Sequence, residues 1–141
     1  LDWACNLRIP HGGWCPQGRR ATDGLLSVKY QLRETESAGY RQRTKLNVQD
    51  SDATLILNVG ELDGGTLQTL QFAECMGKPN LVVQIDQVAL DELAGRITGW
   101  LIAGEFSTLN VAGPREEKRP GIYELTLSVL DRCTASPEEK A

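Results

Sequence analysis

The stretch Ala53-Thr54-Leu55-Ile56-Leu57-Asn58-Val59-Gly60-Glu61-Leu62-Asp63-Gly64-Gly65-Thr66 decides the fold. Its first seven residues are mostly Leu, Ile, Val and Ala without polar alternation, the composition of a strand buried on both faces, and such strands belong to parallel sheets covered by helices. The Asp63-Gly64-Gly65-Thr66 turn then leads into a helical stretch, Thr66 to Met76, which Gly77 stops and Pro79 keeps from resuming. Glycine at such a turn lets free backbone N–H groups face a ligand at a helix N-terminus. A strand, a glycine turn and a helix predict the α/β class, as a Rossmann-like three-layer α/β/α fold with a mostly parallel sheet.

Working outward, Leu81 to Ile85 reads as the second central strand, with further strands at Thr108 to Val111 and, more weakly, Ile9 to Trp14. Between Val88 and Ala103, Leu90, Leu93, Ile97 and Trp100 or Leu101 recur at helical spacing and put one stripe on the sheet. A last helix starts near Pro120 and places Ile122, Leu125, Val129 and Cys133 on one side. Ser37 to Gln49 also reads as helix, yet it is too polar to be held by burial alone. Its basic residues Arg41, Arg43 and Lys45 either contact a ligand, another subunit or the acids Glu34 and Asp50, or form a plain solvated face. Leu1 to Leu7 reads as the end of a helix, so a strand and a Gly-rich turn are expected ahead of Leu1. The expectation is one domain over 1–136, lacking its first strand, with a frayed tail at 137–141.

At 141 residues the chain is long enough to fold without disulfide or metal. A net charge of -4 and a pI near 5.0 exclude the broad basic field that nucleic acid or an anionic membrane surface requires. Its apolar runs are far too short for a membrane span, and a cytoplasmic location is expected. Cys5, Cys15, Cys75 and Cys133 form no C-x-x-C pair, and one histidine, His11, supplies no usual metal site, so no metal is expected.

Four segments are suited to an anion: Gly18-Arg19-Arg20, Arg41-Gln42-Arg43-Thr44, Asp63-Gly64-Gly65-Thr66 and Asn110-Val111-Ala112-Gly113-Pro114-Arg115. Backbone N–H groups of Gly64, Gly65 and Thr66, with the Thr66 hydroxyl, would hold a phosphate at the helix N-terminus. Arg19, Arg20 and Arg115 would add bidentate charge-assisted bonds. Asn110 and Gly113 would bring their loop to the carboxyl edge of the sheet, where open α/β sheets bind ligands. The plain alternatives are a ligand-free strand-to-helix turn and surface arginines paired with Asp23 and Glu116. Asp63 would repel an anion unless it caps the helix or pairs with an arginine. Trp14 and Tyr40 are either stacking partners for a ring or core aromatics.

Together, Pro10-His11-Gly12-Gly13-Trp14-Cys15-Pro16, Gly18 to Ala21 with Asp23-Gly24, Tyr40-Arg41-Gln42-Arg43-Thr44, Asn47-Val48 with Asp50-Ser51-Asp52, Gly64-Gly65-Thr66, Asn110 to Glu116 and Pro120-Gly121-Ile122-Tyr123 resemble the molybdenum cofactor carrier proteins. These are a branch of the SLOG superfamily of Rossmann-like nucleotide-binding folds. The family pattern opens with a Gly-Gly-Gln-Thr-Gly turn and an Asp-Arg-Ala-Ala-Leu-Asp helix, of which Leu1 and Asp2 match. The resemblance implies a cytosolic homo-oligomer that binds molybdenum cofactor or a related phosphorylated ligand, with a nucleotide or phosphate as the alternative.

A neighbouring branch contains phosphoribohydrolases with a Pro-Gly-Gly-x-Gly-Thr-x-x-Glu motif whose glutamate is catalytic. Alignment on Gly65-Thr66 puts Thr69 at that glutamate, and a threonine supplies no carboxylate. Two functions remain from the sequence: a binding or carrier protein for a phosphorylated small molecule, and an enzyme acting on a nucleotide-derived substrate through Asp50, Asp52 or Asp63. No catalytic residue is assigned.

Overall fold

Strand β5, Ala53–Asn58, is buried at every position and sits in the middle of a three-stranded parallel sheet of order β6-β5-β7. The computed structural model describes residues 1–21 and 24–135; the expected tail and Asp23 lie outside them. β6 is Asn80–Gln84 and β7 is Leu109–Ala112, each within one residue of the sequence expectation at either end. Thr54 lies opposite Asn80 on one side and Asn110 on the other, so both neighbours run parallel to β5. The protein is α/β, with mostly parallel strands.

The period of two along β5 assigns its faces. Leu55 and Leu57 enter a core with Val83, Ile85, Leu93, Ile97, Ile122 and Val129, contributed by β6, by α4 (Leu90–Gly104) and by α5 (Ile122–Thr134). The opposite face is covered by α3 (Gly64–Cys75), which packs on both β5 and α2 (Tyr40–Gln49). At about 25 cal/mol per Å² the large aliphatic side chains of the first face supply most of the burial energy. Gly77 follows α3 with φ of +65°, as the stop signal in the sequence requires. The last helix starts at Ile122 because Gly121, at φ +93°, turns the chain after Pro120.

The first third of the chain departs from the expected pattern. The weak strand at Ile9 to Trp14 reduces to β1, Trp14–Cys15, paired in parallel with β4, Arg33–Glu34. Between them β2 (Arg20–Ala21) and β3 (Gly24–Leu25) form a short antiparallel pair that local pattern does not reveal. The opening residues form a short helix, α1, Asp2–Asn6. Its Asp2 carboxylate accepts hydrogen bonds from the Tyr30 and Tyr123 hydroxyls, tying α1 to α5 and to the segment before β4.

Candidate functional site

At the carboxyl edge of β5 the chain turns through Gly60, at φ +81°, and enters α3 at Gly64, at φ +50°. Both angles favour glycine, the second at the position where the sequence places the anion turn. The first turn of α3 has no cap. Asp63 occupies the N-cap position with no side-chain cap hydrogen bond, and the first N–H to bond back is that of Leu67, to the Asp63 carbonyl. Among the described residues the N–H groups of Gly64, Gly65 and Thr66 have no acceptor. Three orphan donors at the positive end of a helix are a geometry suited to an anion.

Asp63 does not cap because cations hold it. Its carboxylate lies 2.6 Å from Lys118 Nζ and 3.5 Å from Arg119 Nη2. The Lys118 hydrogen bond above all holds its pKa below the ordinary carboxylate value; desolvation opposes it, and the charges of Lys118 and Arg119 lower it further. A methyl group built on Gly64 would meet Lys118 Nζ at 3.0 Å, so the ammonium stands over the mouth of the turn. Arg119 latches the turn from below. Its Nε donates to the Val59 carbonyl at 2.7 Å and its Nη2 to the Glu61 carbonyl at 3.4 Å. Two cations and a helix N-terminus thus face one carboxylate, and the local balance is positive although the chain is acidic.

The other residues singled out in the sequence fall in different places. Gly113 is at the carboxyl edge beside β5, where a Cβ would lie 2.4 Å from the Leu57 carbonyl oxygen; its small size is a packing requirement. Asn110 is not at that edge. It pairs opposite Thr54 and donates to its hydroxyl at 3.3 Å, four residues before Asn58, or about 13 Å along the strand. Arg19 is turned inward at φ +53° and donates to the carbonyls of Leu26, Ser27, Tyr30 and Leu32, which uses four of its five N–H groups to shape the chain over 26–32. Arg20 is exposed on β2 and makes no hydrogen bond or ion pair among the described residues. Arg115 stacks over the Tyr40 ring at 4.4 Å, which brings the loop after β7 to the start of α2. Tyr40 is therefore a stacking platform, here for guanidinium groups, while Trp14 carries Arg33 at 4.1 Å.

Lys118, Arg119 and Arg43 are the residues that the sequence did not mark strongly enough. Lys118 and Arg119 follow Glu116-Glu117, and in sequence that run reads as a solvated mixture of charges. Glu116 is in fact occupied elsewhere, accepting from the Gly121 and Tyr123 N–H groups at the start of α5, which lowers its pKa. His11 contacts the Cys5 thiol at 3.9 Å and accepts from the Gln31 N–H, and no group of three or more metal-ligating side chains occurs among the described residues. Thr69, at the position of the phosphoribohydrolase glutamate, is buried and donates to the Gly65 carbonyl at 2.8 Å. Its hydroxyl braces the helix rather than facing a substrate.

The family described as the circularly permutated YpsA SLOG family matches residues 1–134. The chain belongs to this family. A solved structure of a candidate molybdenum carrier protein from Syntrophus aciditrophicus SB is similar over 96% of this chain and 85% of that one, at 41% identity and a TM-score of 0.93. Among curated proteins nothing matches. Membership in the SLOG family fits the Rossmann-like sheet, and the uncapped helix follows the carboxyl end of its central strand. None of the described helices is long and apolar enough to cross a membrane.

Proposed function

We propose that the chain is a binding or carrier protein for a phosphorylated small molecule, molybdenum cofactor by the resemblance given above, and the molybdenum carrier name of its relative supports the molybdenum part of that reading. One observation carries this reading: the N–H groups of Gly64, Gly65 and Thr66 are unpaired among the described residues, the Lys118 ammonium stands beside Gly64, and Asp63 pairs with that ammonium instead of capping the helix. A phosphate placed there would accept from the backbone, from the Thr66 hydroxyl and from Lys118, and would compete with Asp63 for that cation. Molybdenum cofactor carries such a phosphate on its pterin. In this reading Gly64, Gly65, Thr66 and Arg115 keep ligand roles, Gly113 and Arg19 shape the surrounding chain, and Asn110 stands apart. Hydrolysis in the phosphoribohydrolase manner recedes because Thr69 supplies no carboxylate and its hydroxyl is already engaged.

The test is a thermal-shift screen against inorganic phosphate, molybdate, molybdenum cofactor and nucleoside phosphates. A ligand at about 100 times its dissociation constant adds roughly 2.7 kcal/mol and raises the melting point by about 9 °C. The expected result is a shift with phosphate esters that falls away in Lys118→Ala. A screen in which no phosphate compound shifts the melting point would falsify the reading.

A further inference from the structure

Among the described residues Arg43 is a cation without a counter-ion. It is half-buried on α2, its Nε is shut off from solvent with no acceptor, and among the described residues no carboxylate or carbonyl takes any of its N–H groups. Burying an unpaired charge is costly, so such a guanidinium is ordinarily found against an acid. Here its neighbour is a second cation. Arg43 lies 5.4 Å from the centroid of the Tyr40 ring and Arg115 4.4 Å from the same ring. Burial lowers the Arg43 pKa most, Tyr40 offsets part of this, and the Arg115 charge lowers it again. Among the described residues the one acid paired with Arg115 is Glu117, in an exposed contact at 3.6 Å.

The start of α2 adds donors to the same place. Gly39 caps it without a side-chain bond, and the N–H groups of Tyr40, Arg41 and Gln42 find no acceptor among the described residues. One loop, 113–119, therefore reaches two uncapped helices, α3 through Lys118 and α2 through Arg115. We propose that Arg43 and Arg115, over the Tyr40 ring, form a second anion subsite, so that the natural ligand bears two anionic groups, one at each helix. This rests on the phosphate reading of the α3 turn and names the class of ligand that would satisfy both positions: a di- or triphosphate ester, or a phosphate ester with a second oxyanion.

Calorimetric titration of the protein with AMP, ADP and ATP tests it. Affinity is expected to rise about tenfold or more from AMP to the better of the two longer nucleotides, the effect of one added set of charge-assisted bonds. Arg43→Gln should abolish the rise and leave AMP binding within about twofold. A rise that survives Arg43→Gln, or AMP binding with no rise along the series, overturns the second subsite and leaves the α3 turn standing. Failure of all three nucleotides to bind overturns the inference for nucleotide esters, and the phosphate reading of the α3 turn falls with it only if inorganic phosphate and molybdenum cofactor fail to bind as well. An independent check needs no nucleotide: Arg43→Met should melt higher than wild type at low salt, and added sulfate should narrow the gap by stabilising the wild type more. An equal response of both proteins to sulfate counts against the subsite.

Discussion

The Asp63 carboxylate stands 2.6 Å from the Lys118 ammonium, and in that position it leaves the first turn of α3 without its cap. An aspartate at an N-cap ordinarily accepts from the second or third helical N–H. Here the backbone donors stay open, and the acid serves to position a cation above them. Asp63→Asn removes a negative charge from the mouth of the turn and leaves both Lys118 and Arg119 unneutralised. Affinity for inorganic phosphate is expected to rise about two- to fivefold at low ionic strength, the scale of one charge at a helix end. The gain should shrink with added salt. Weaker binding in calorimetry would mean that Asp63 holds Lys118 in a geometry the anion needs.

Arg119 governs the shape of the turn rather than its charge. Its side chain is 23% exposed, and its Nε donates at 2.7 Å to the Val59 carbonyl at the end of β5. Arg119→Ala strands that carbonyl and the one at Glu61, a loss of about 1–3 kcal/mol. Arg119→Lys should recover little, since an ammonium cannot reproduce the planar fork. Urea midpoints of the two variants, read at constant slope, check this.

The glycines of the site divide by what a methyl group would meet. At Gly113 it would lie 2.4 Å from the Leu57 carbonyl oxygen, a backbone atom that cannot swing away. Gly113→Ala is expected to cost about 1–3 kcal/mol. At Gly65 a methyl meets nothing within 4 Å and φ is unexceptional. Gly65→Ala should be neutral or stabilise by up to about 1 kcal/mol, because alanine loses less entropy in a helix. Thermal denaturation of the two proteins should separate them clearly, and a stable Gly113→Ala protein would show that the β5 and β7 edges can part.

The legible parts of the sequence were those whose cause is local. β5 announces itself through burial on both faces, α3 through a glycine at each end, and α4 through Leu93 and Ile97 at four-residue spacing. The turn at Gly64-Gly65-Thr66 was equally plain, since only the chain's own conformation is needed to expose its N–H groups. What the sequence hid depends on partners far along the chain. Arg19 looks like an anion ligand until its four carbonyl acceptors, 7 to 13 residues away, are seen. Asn110 was expected at the carboxyl edge of the sheet, but β7 runs on to Ala112 and pairs Asn110 with Thr54. Arg43 was one basic residue among several on a polar helix, and its lack of an acid partner among the described residues is a tertiary fact.

The Asp2 cluster makes a prediction about pH. Its hydrogen bonds from Tyr123, first, and Tyr30 lower the Asp2 pKa from 3.8, while the same bond raises Tyr30 to about 12 and Tyr123 above its usual 10.0. The neutral phenols are the donors. Their contribution to stability is therefore complete below the unfolded value of 10.0 and is lost as pH rises toward 12. For Asp2 the sign is opposite: the contribution is present above 3.8 and disappears as pH falls through the lower folded value. Following tyrosinate absorbance against pH should show Tyr30 ionising at about 12, with Tyr123 also displaced upward. Asp2→Asn should return both toward 10.0 and flatten the acid limb of the stability curve. If the absorbance titration of wild type and Asp2→Asn coincide, the hydroxyls do not share that carboxylate in solution, and α1 is held to α5 by packing instead.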